Sequence, residues 1–517
     1  MAFPTVKILA GKGNANQQAP GQDYISGFVF YTNSLPSGFS SSSRMKQLFS
    51  VADAEEAGIT AIYSDETQAT FTSALTKGAT GDSITLVYND PILGNTTLCS
   101  YTQVSGDSSN TIFAASVAAA INANTSQTGF SATASTGTLT VTVRKGLGVS
   151  PNTGTPLSAT IVGSIVAGTI TLGVSGVASL LAQYHYHIAE YFRANPTGTC
   201  YVGFFALPAN AAAYTYSEVG TLEAYSLGTI RNYAVFAPKN YASTASDVKT
   251  FISTACGLLQ TQYNNIFALK APGQILFATD LSKLGGIANL SLDLSTLTSN
   301  RVSVIISQDG AGLGSQLFIQ TTTSITDLGC ALGTLSKSLV SDDIGDLSQF
   351  NLTDGYELAV PAFADGTLVK NVSQSLINQL DLYRYIFTTN YIGYNGTYYN
   401  NDHTATAYTD QFAYIHLGRT WDKASRGLYA AYLPFLKAKL ALTATGTLTP
   451  QTVATLTSAG NAFLDVMVRN QELSAYQVIV PSNQNPNITG KLAITVNLVA
   501  EGIANEIDIT SQFVASL

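Results

Sequence analysis

The chain has 517 residues, long enough that about two to four domains are expected rather than one core. Charged residues make up 11 %, against about 25 % in an ordinary soluble domain, while the apolar share stays at 45 %, so Ser, Thr, Asn, Gln and Gly stand where charges would. The net charge of -8, the pI near 5.0 and the absence of any basic run exclude a surface that reads nucleic acid.

In chain order, "FPTVKILAG" is a short strand-like run followed by the Gly/Asn/Gln linker "GKGNANQQAPGQ", a pattern that suits a terminal exchange arm over residues 1–22. A β/α rhythm begins near Asp23: "YISGFVFYT" reads as a strand, "SRMKQLFSVADAEEAG" as a helix and "ITAIYS" as a strand. Residues 66–176 break it. They are dense in Thr, Ser and Gly and alternate with period two around one helix, "TIFAASVAAAINANT", which predicts an inserted β-rich domain. The rhythm resumes with the helix "ASLLAQYHYHIAEYFRAN" and continues through "GTCYVGFFALP", "IRNYAVFAP", "SDVKTFISTACGLLQTQYNN", "GQILFATD" and "RVSVIISQ" to one long helix, "SQLFIQTTTSITDLGCALGTLSKSL". Apolar strands alternating with helices predict an α/β domain over 23–65 plus 177–351, with a mainly parallel sheet covered on both faces.

From about Leu352 a C-terminal α+β domain is expected over 352–517. It opens with strand- and loop-like, Tyr-rich sequence. Trp421, Ala424, Leu428, Ala431, Phe435, Ala438 and Leu442 then step by three and four along one helix, with a kink at Pro434. A second helix spans about Val453 to Leu473, and "GKLAITVNLVAEG" and "NEIDITSQFVA" close the chain as alternating strands.

The four cysteines, Cys99, Cys200, Cys256 and Cys330, lie far apart without a CxxC pair, so buried reduced thiols are expected rather than a zinc site or a disulfide framework. The N-terminus lacks a signal-peptide pattern, and no run approaches the roughly 18 apolar residues of a membrane span.

The stretch "YYNNDHTATAYTDQFAYIHLGRTWDKASRGL", residues 398–428, holds two of the four histidines and the single tryptophan. Asp402, His403 and Asp410 would suit an acid, a base and an orienter, but no nucleophile elbow accompanies them and no second His/Asp/Glu cluster signals a metal. Catalysis is therefore not expected. His185 and His187, two apart on a helix, point to different sides and cannot chelate one ion. Gly310, Gly312 and Gly314 follow a strand and precede a helix, without the third glycine or the downstream acid of a dinucleotide loop, and read as a plain turn.

The same stretch resembles the signature segment of contractile bacteriophage tail sheath proteins. There a Tyr-rich strand, here Gly393-Tyr394 and Tyr398-Tyr399, leads through a polar loop to Arg419-Thr420-Trp421-Asp422-Lys423 at a helix start. The resemblance implies a structural subunit that stacks in six-fold rings around a tail tube and contracts to drive the tube through a host envelope, in a virion assembled in the host cytoplasm. Its partners would be further copies of itself, the tube protein, and baseplate and terminator proteins. No enzyme activity, cofactor or metal is implied. Terminal arms carrying Val6, Ile8 and Leu9 at one end and Ile507, Ile509 and Phe513 at the other would add strands to neighbouring sheets. Trp421, Leu428 and Phe435 would pack the core domain, with Asp422 suited to the helix dipole. Lys423, Arg426, Lys437 and Lys439 either meet the tube or solvate the helix. The insertion would sit outside. A phage-derived bacteriocin or other contractile injection system fits equally, and a surface adhesin or S-layer protein is the more distant alternative.

Overall fold

The computed structural model describes residues 22–505, 507–509, 511 and 513. Six strands form the central sheet, in the order Val302–Val304, Gln274–Thr279, Asn232–Ala237, Ile25–Tyr31, Thr199–Phe205 and Met45–Leu48. The first five run parallel, and Met45–Leu48 closes the edge antiparallel. Ile25–Tyr31, Asn232–Ala237 and Gln274–Thr279 are buried along their whole length, which explains their unbroken apolar sequence. Side chains alternate between two cores. Phe28, Phe30, Val202, Phe204 and Phe236 face helices Leu180–Ala194 and Leu328–Lys337. Val29, Val235, Ile275 and Phe277 face Glu218–Tyr225 and Ala245–Ala268.

Local sequence sets these helices. Thr244 and Asp247 form a reciprocal capping box at the start of Ala245–Ala268. Leu328–Lys337 lies directly on the backbone of Leu180–Ala194, since a Cβ at Gly329 would fall 2.1 Å from the His187 carbonyl oxygen. His187 itself is fully buried between Phe30 and Phe236, where burial pushes its pKa down to about 3 and keeps it neutral. His185 turns instead to Glu55, 3.1 Å away.

Residues 70–174 carry their own core, with Phe71, Ile84, Phe113, Val117 and Val141 packed between a five-stranded sheet, a three-stranded sheet and the helix Asn110–Ala123. The chain enters and leaves this part side by side: Thr67 and Val177 bond each other's backbone at 3.1 and 2.9 Å. Two consecutive acids hold the crossing. Asp65 accepts from the Leu180 and Leu181 amides at a helix start, and Glu66 accepts from the Gly146, Leu147 and Gly148 amides.

Several sequence readings need correction. "SRMKQLFSVADAEEAG" is a strand, Met45–Leu48, and a short helix, Val51–Glu56, because Ser50 caps the helix with its hydroxyl and ends the strand. "ITAIYS" forms no strand. The single long helix after Gly312 is two, Leu313–Thr321 and Leu328–Lys337, broken where Thr322 and Thr326 adopt positive φ. The Tyr-rich segment begins with a helix, Gln374–Leu382, capped by Ser373. The glycines, by contrast, form the plain strand-to-helix turn expected: the strand Ser307–Asp309 pairs antiparallel with Pro361–Phe363, and the Glu357 carboxylate takes the Leu313 amide at 3.1 Å. No helix among the described residues is long and apolar enough to cross a membrane.

Asp327, fully buried, accepts from the Ser307 hydroxyl at 2.8 Å, and burial raises its carboxyl from 3.8 to about 7. In that window the folded chain holds a proton that the unfolded chain has released. The group's contribution to stability is thus complete below the lower value and lost as pH rises through the upper one, at up to about 1.4 kcal/mol per pH unit. Asp327→Asn keeps a neutral group throughout, so its thermal midpoint should fall less than that of the parent between about pH 5 and about pH 8. An unaltered pH slope would mean that Asp327 is ionised in the fold.

Candidate functional site

The polar stretch converges on one helix, Ile415–Tyr432. No side chain of its own caps the start. Asp402 does so from the preceding loop: its carbonyl accepts from the Ile415 amide at 2.8 Å, and Oδ2 accepts from the His416 amide at 2.8 Å and lies 2.7 Å from His416 Nδ1. Burial opposes charge on His416, but Asp402 outweighs it and holds the imidazole above its ordinary value.

The junction helix grips the α/β body through five polar residues. Arg419 donates to the Ser338 hydroxyl at 2.7 Å and to the Leu339 carbonyl at 3.0 Å, and burial lowers its pKa to about 10. Thr420 donates to the Val340 carbonyl at 3.3 Å. Asp422 pairs with Arg301 at 3.3 Å and accepts from the Tyr263 hydroxyl at 3.0 Å. Arg301 and Asp422 are each 2 % exposed, and the guanidinium lies 3.8 Å from the centre of the Phe412 ring and 5.5 Å from that of Trp421. Burial raises the Asp422 pKa, with Arg301 opposing. A Cβ at Gly418 would fall 2.0 Å from Arg301 Nη1, so the residue must be glycine for the arginine to enter. Lys423 bonds Asp23 at 2.7 Å and also Glu472, while Arg426 takes the other oxygen of Asp23 at 2.6 Å. Burial alone would raise the Asp23 pKa, but Arg426 and Lys423 bring it below its usual value.

The same helix carries the C-terminal elements. Ala424 packs with Leu464, Met467 and Leu473, and half-buried Leu428 joins them. The helix Pro450–Arg469 then supports a hairpin, Ala475–Ile479 against Thr495–Val499, in which Ala475 opposes Val499 and Ile479 opposes Thr495. Among the described residues this sheet has two strands only, so each strand keeps one unpaired edge. Beyond it, Ile507, Ile509 and Phe513 are exposed by 76 %, 84 % and 109 %.

The predicted site residues therefore separate. Val6, Ile8 and Leu9 lie outside the described residues. Trp421 and Leu428, seven residues apart on the helix, line one cavity with Val496 of the terminal hairpin, while the Trp421 ring also packs near Phe267 and Phe412, 5.6 and 5.4 Å between ring centres. The helix stops at Tyr432, where Leu433–Phe435 forms a 3-10 turn around Pro434, so Ala438 and Leu442 are not on it. Phe435 packs in a second small cluster with Tyr432 and Leu456. Asp422 lies too far into Ile415–Tyr432 for the dipole at its start, and its partner is Arg301. The four cations are no common surface: Lys423 and Arg426 turn inward onto Asp23, and Lys437 and Lys439 are exposed beyond the helix. Asp402, His403 and Asp410 form no triad. His403 pairs with Asp381 at 3.0 Å, and Asp410 accepts from the Phe412 amide at 2.8 Å.

A family model described as DUF2586, N-terminal domain, matches residues 54–403, and one described as DUF2586, C-terminal domain, matches residues 411–517. The chain belongs to the DUF2586 family. No curated protein matches its sequence. Similar solved structures include the helical sheath of the anti-feeding prophage in its contracted state, at 15 % identity over 64 % of this chain and 81 % of that one, TM-score 0.44. The sheath complex of the extracellular contractile injection system PVC, also contracted, is similar at 14 % identity over 65 % and 80 %, TM-score 0.41. The six-fold symmetrised anti-feeding prophage baseplate is similar at 14 % over 63 % and 80 %, TM-score 0.42. In this DUF2586 chain the two matched parts meet just before the junction helix, whose polar residues belong to the second part and whose partners Arg301, Tyr263 and Ser338 belong to the first.

Arg301→Ala strands Asp422 as an unpaired buried charge and should lower stability by about 3–5 kcal/mol. Arg301→Met with Asp422→Leu removes both charges and should recover most of that loss, read from denaturant midpoints and their double-mutant cycle. Additive losses would show that the pair is not coupled.

Proposed function

We propose that the chain is the sheath subunit of a contractile tail or injection system, a structural rather than catalytic protein that polymerises as stacked six-fold rings around a tube. The observation that carries this reading is the terminal hairpin. Among the described residues it has two open edges, and it is followed by apolar residues, Ile507, Ile509 and Phe513, that are exposed and spaced by even numbers, as one face of a strand requires. A tail of this kind adds to the sheet edge of a neighbouring copy, and the N-terminal run with Val6, Ile8 and Leu9 supplies a second strand. The low surface charge supports the reading too, because Ser, Thr, Asn and Gln surfaces repack between two subunit geometries without burying unpaired charge.

On this reading residues 352–517 form the core domain, 23–65 plus 177–351 the α/β domain, and 66–176 an insertion on the outside, where nothing else in the sheath packs. Lys437 and Lys439 are the two predicted cations still free to face a tube. Baseplate and terminator proteins would meet the ends of the polymer. A tail particle is its setting, whether a virion that ejects a genome into its host or an injection system without a capsid.

Electron microscopy of the purified full-length chain should show hollow tubes of stacked rings, and versions lacking residues 1–10 or 506–517 should not form them. Discrete particles from the full-length chain under every condition would overturn the sheath reading. Replacing residues 68–176 by a short Gly/Ser linker should leave both the fold and the tubes intact, because Thr67 and Val177 already lie side by side. Loss of tubes from this well-folded variant would place the insertion inside the assembly.

A further inference from the structure

The sequence offers no second acid to join the Asp402–His416 pair, but the fold supplies one. Asp343 lies in the segment that follows the helix Leu328–Lys337, and the chain returns it to the start of the junction helix. Asp343, Asp402 and His416 are all buried and present one ligand atom each within 4.8 Å of one another. They come from three separate places: the end of the α/β part, the Tyr-rich loop and the first turn of the helix.

Two further features set this group apart from an ordinary cap. Asp402 Oδ2 is already used by the His416 amide and ring, whereas Asp402 Oδ1, in a side chain with no exposure, has no hydrogen-bond partner among the described residues. A wholly buried carboxylate oxygen left without a donor is costly unless a cation or a proton answers it. Asp343 adds a second carboxyl beside it, with one oxygen accepting from the Gly345 amide at 2.7 Å.

We propose that Asp343, Asp402 and His416 form a structural binding site for a divalent transition ion of the zinc type. One imidazole with two carboxylates is a mixed nitrogen and oxygen set that suits zinc or manganese, whereas calcium and magnesium prefer oxygen alone. Bonds of about 2.0–2.2 Å to each ligand place ligand atoms roughly 3–4 Å apart, which the observed cluster reaches with small side-chain turns. On binding, the ion takes the place of the proton held between His416 Nδ1 and Asp402 Oδ2, which leaves to solvent. The site joins the segment after Leu328–Lys337 to the helix that carries the C-terminal elements. It therefore reinforces the same junction as the Arg301–Asp422 pair, from the helix start.

The test uses the full chain, stripped with a chelator and then titrated with Zn2+ or Mn2+, with Mg2+ and Ca2+ as controls. Bound metal is counted after gel filtration, and thermal midpoints are followed in parallel. One ion per chain and a midpoint that rises with free Zn2+ are expected. Asp343→Asn and Asp402→Asn should each weaken binding by more than about tenfold, while His185→Gln, a histidine outside the cluster, leaves it unchanged. Circular dichroism of Asp343→Asn checks that its fold is intact, so that lost binding is read from a folded chain. Two results would overturn the proposal. In one, the parent neither retains an ion nor shifts its midpoint, and Asp343→Asn is the more stable protein near neutral pH, as a shared proton alone would give. In the other, zinc stays on Asp343→Asn and is lost from His185→Gln.

Discussion

Arg301 and Asp422 face each other at 3.3 Å in a place where neither meets water, and the rest of the C-terminal architecture hangs from that contact. A buried pair of this kind adds little net stability over a well-packed apolar substitute, yet it tolerates no loss of one member. That asymmetry makes it a device for position. The helix Ile415–Tyr432 can take only the rotation and depth at which Asp422 meets Arg301, Arg419 meets Ser338 and Lys423 meets Asp23. Phe412 and Trp421 close the guanidinium from the sides, and the missing side chain of Gly418 leaves it the space to enter.

The scarcity of charge gives this arrangement its weight. With 24 Lys and Arg in 517 residues, four cations brought to one junction are a large share, and they are spent inside the molecule. Asp23 ties the system to the central sheet, since it lies two residues before the strand Ile25–Tyr31 and accepts from both Lys423 and Arg426. The first described residues and the last third of the chain are thus held together through one carboxylate.

Much of the scaffold could be read from pattern alone. Continuous apolar strands announced the doubly covered sheet, and period-two Thr/Ser sequence announced the strands between residues 70 and 174. What pattern missed has definite causes. Hydrophobic stepping ran through Pro434 because Phe435, Ala438 and Leu442 keep helical spacing although the chain has left the helix. The long helix after Gly312 was likewise split by positive φ at Thr322 and Thr326, residues whose type does not forecast it. The polar junction was visible from one side only. Arg419, Thr420, Asp422 and Lys423 stood together in the sequence, but Arg301, Tyr263, Asp23 and Glu472 are distant in the chain and carry no motif. A lone arginine at the start of a strand gives no sign that it will be buried against three aromatic rings.

The junction and the terminal hairpin obey opposite rules, and the contrast bears on how copies of the chain would join. Every contact at the junction names its partner: exchange Asp422 for another acid elsewhere on the helix and Arg301 is left unpaired. The hairpin instead has edges that no further strand covers among the described residues, and an extended segment of suitable period would satisfy their backbone groups. Two strands alone are marginal in water, and this pair leans on the helix Pro450–Arg469 through Val478, Val496 and Leu498. A partner strand would complete the unit without disturbing the helix beneath it. One chain therefore combines a core that accepts a single internal geometry with a hairpin that, among the described residues, no third strand covers. Under the proposed sheath reading, a linkage made through that hairpin's edge would keep its hydrogen bonds while the bodies on either side turn, because the specificity would reside in the junction and the connectivity in the backbone.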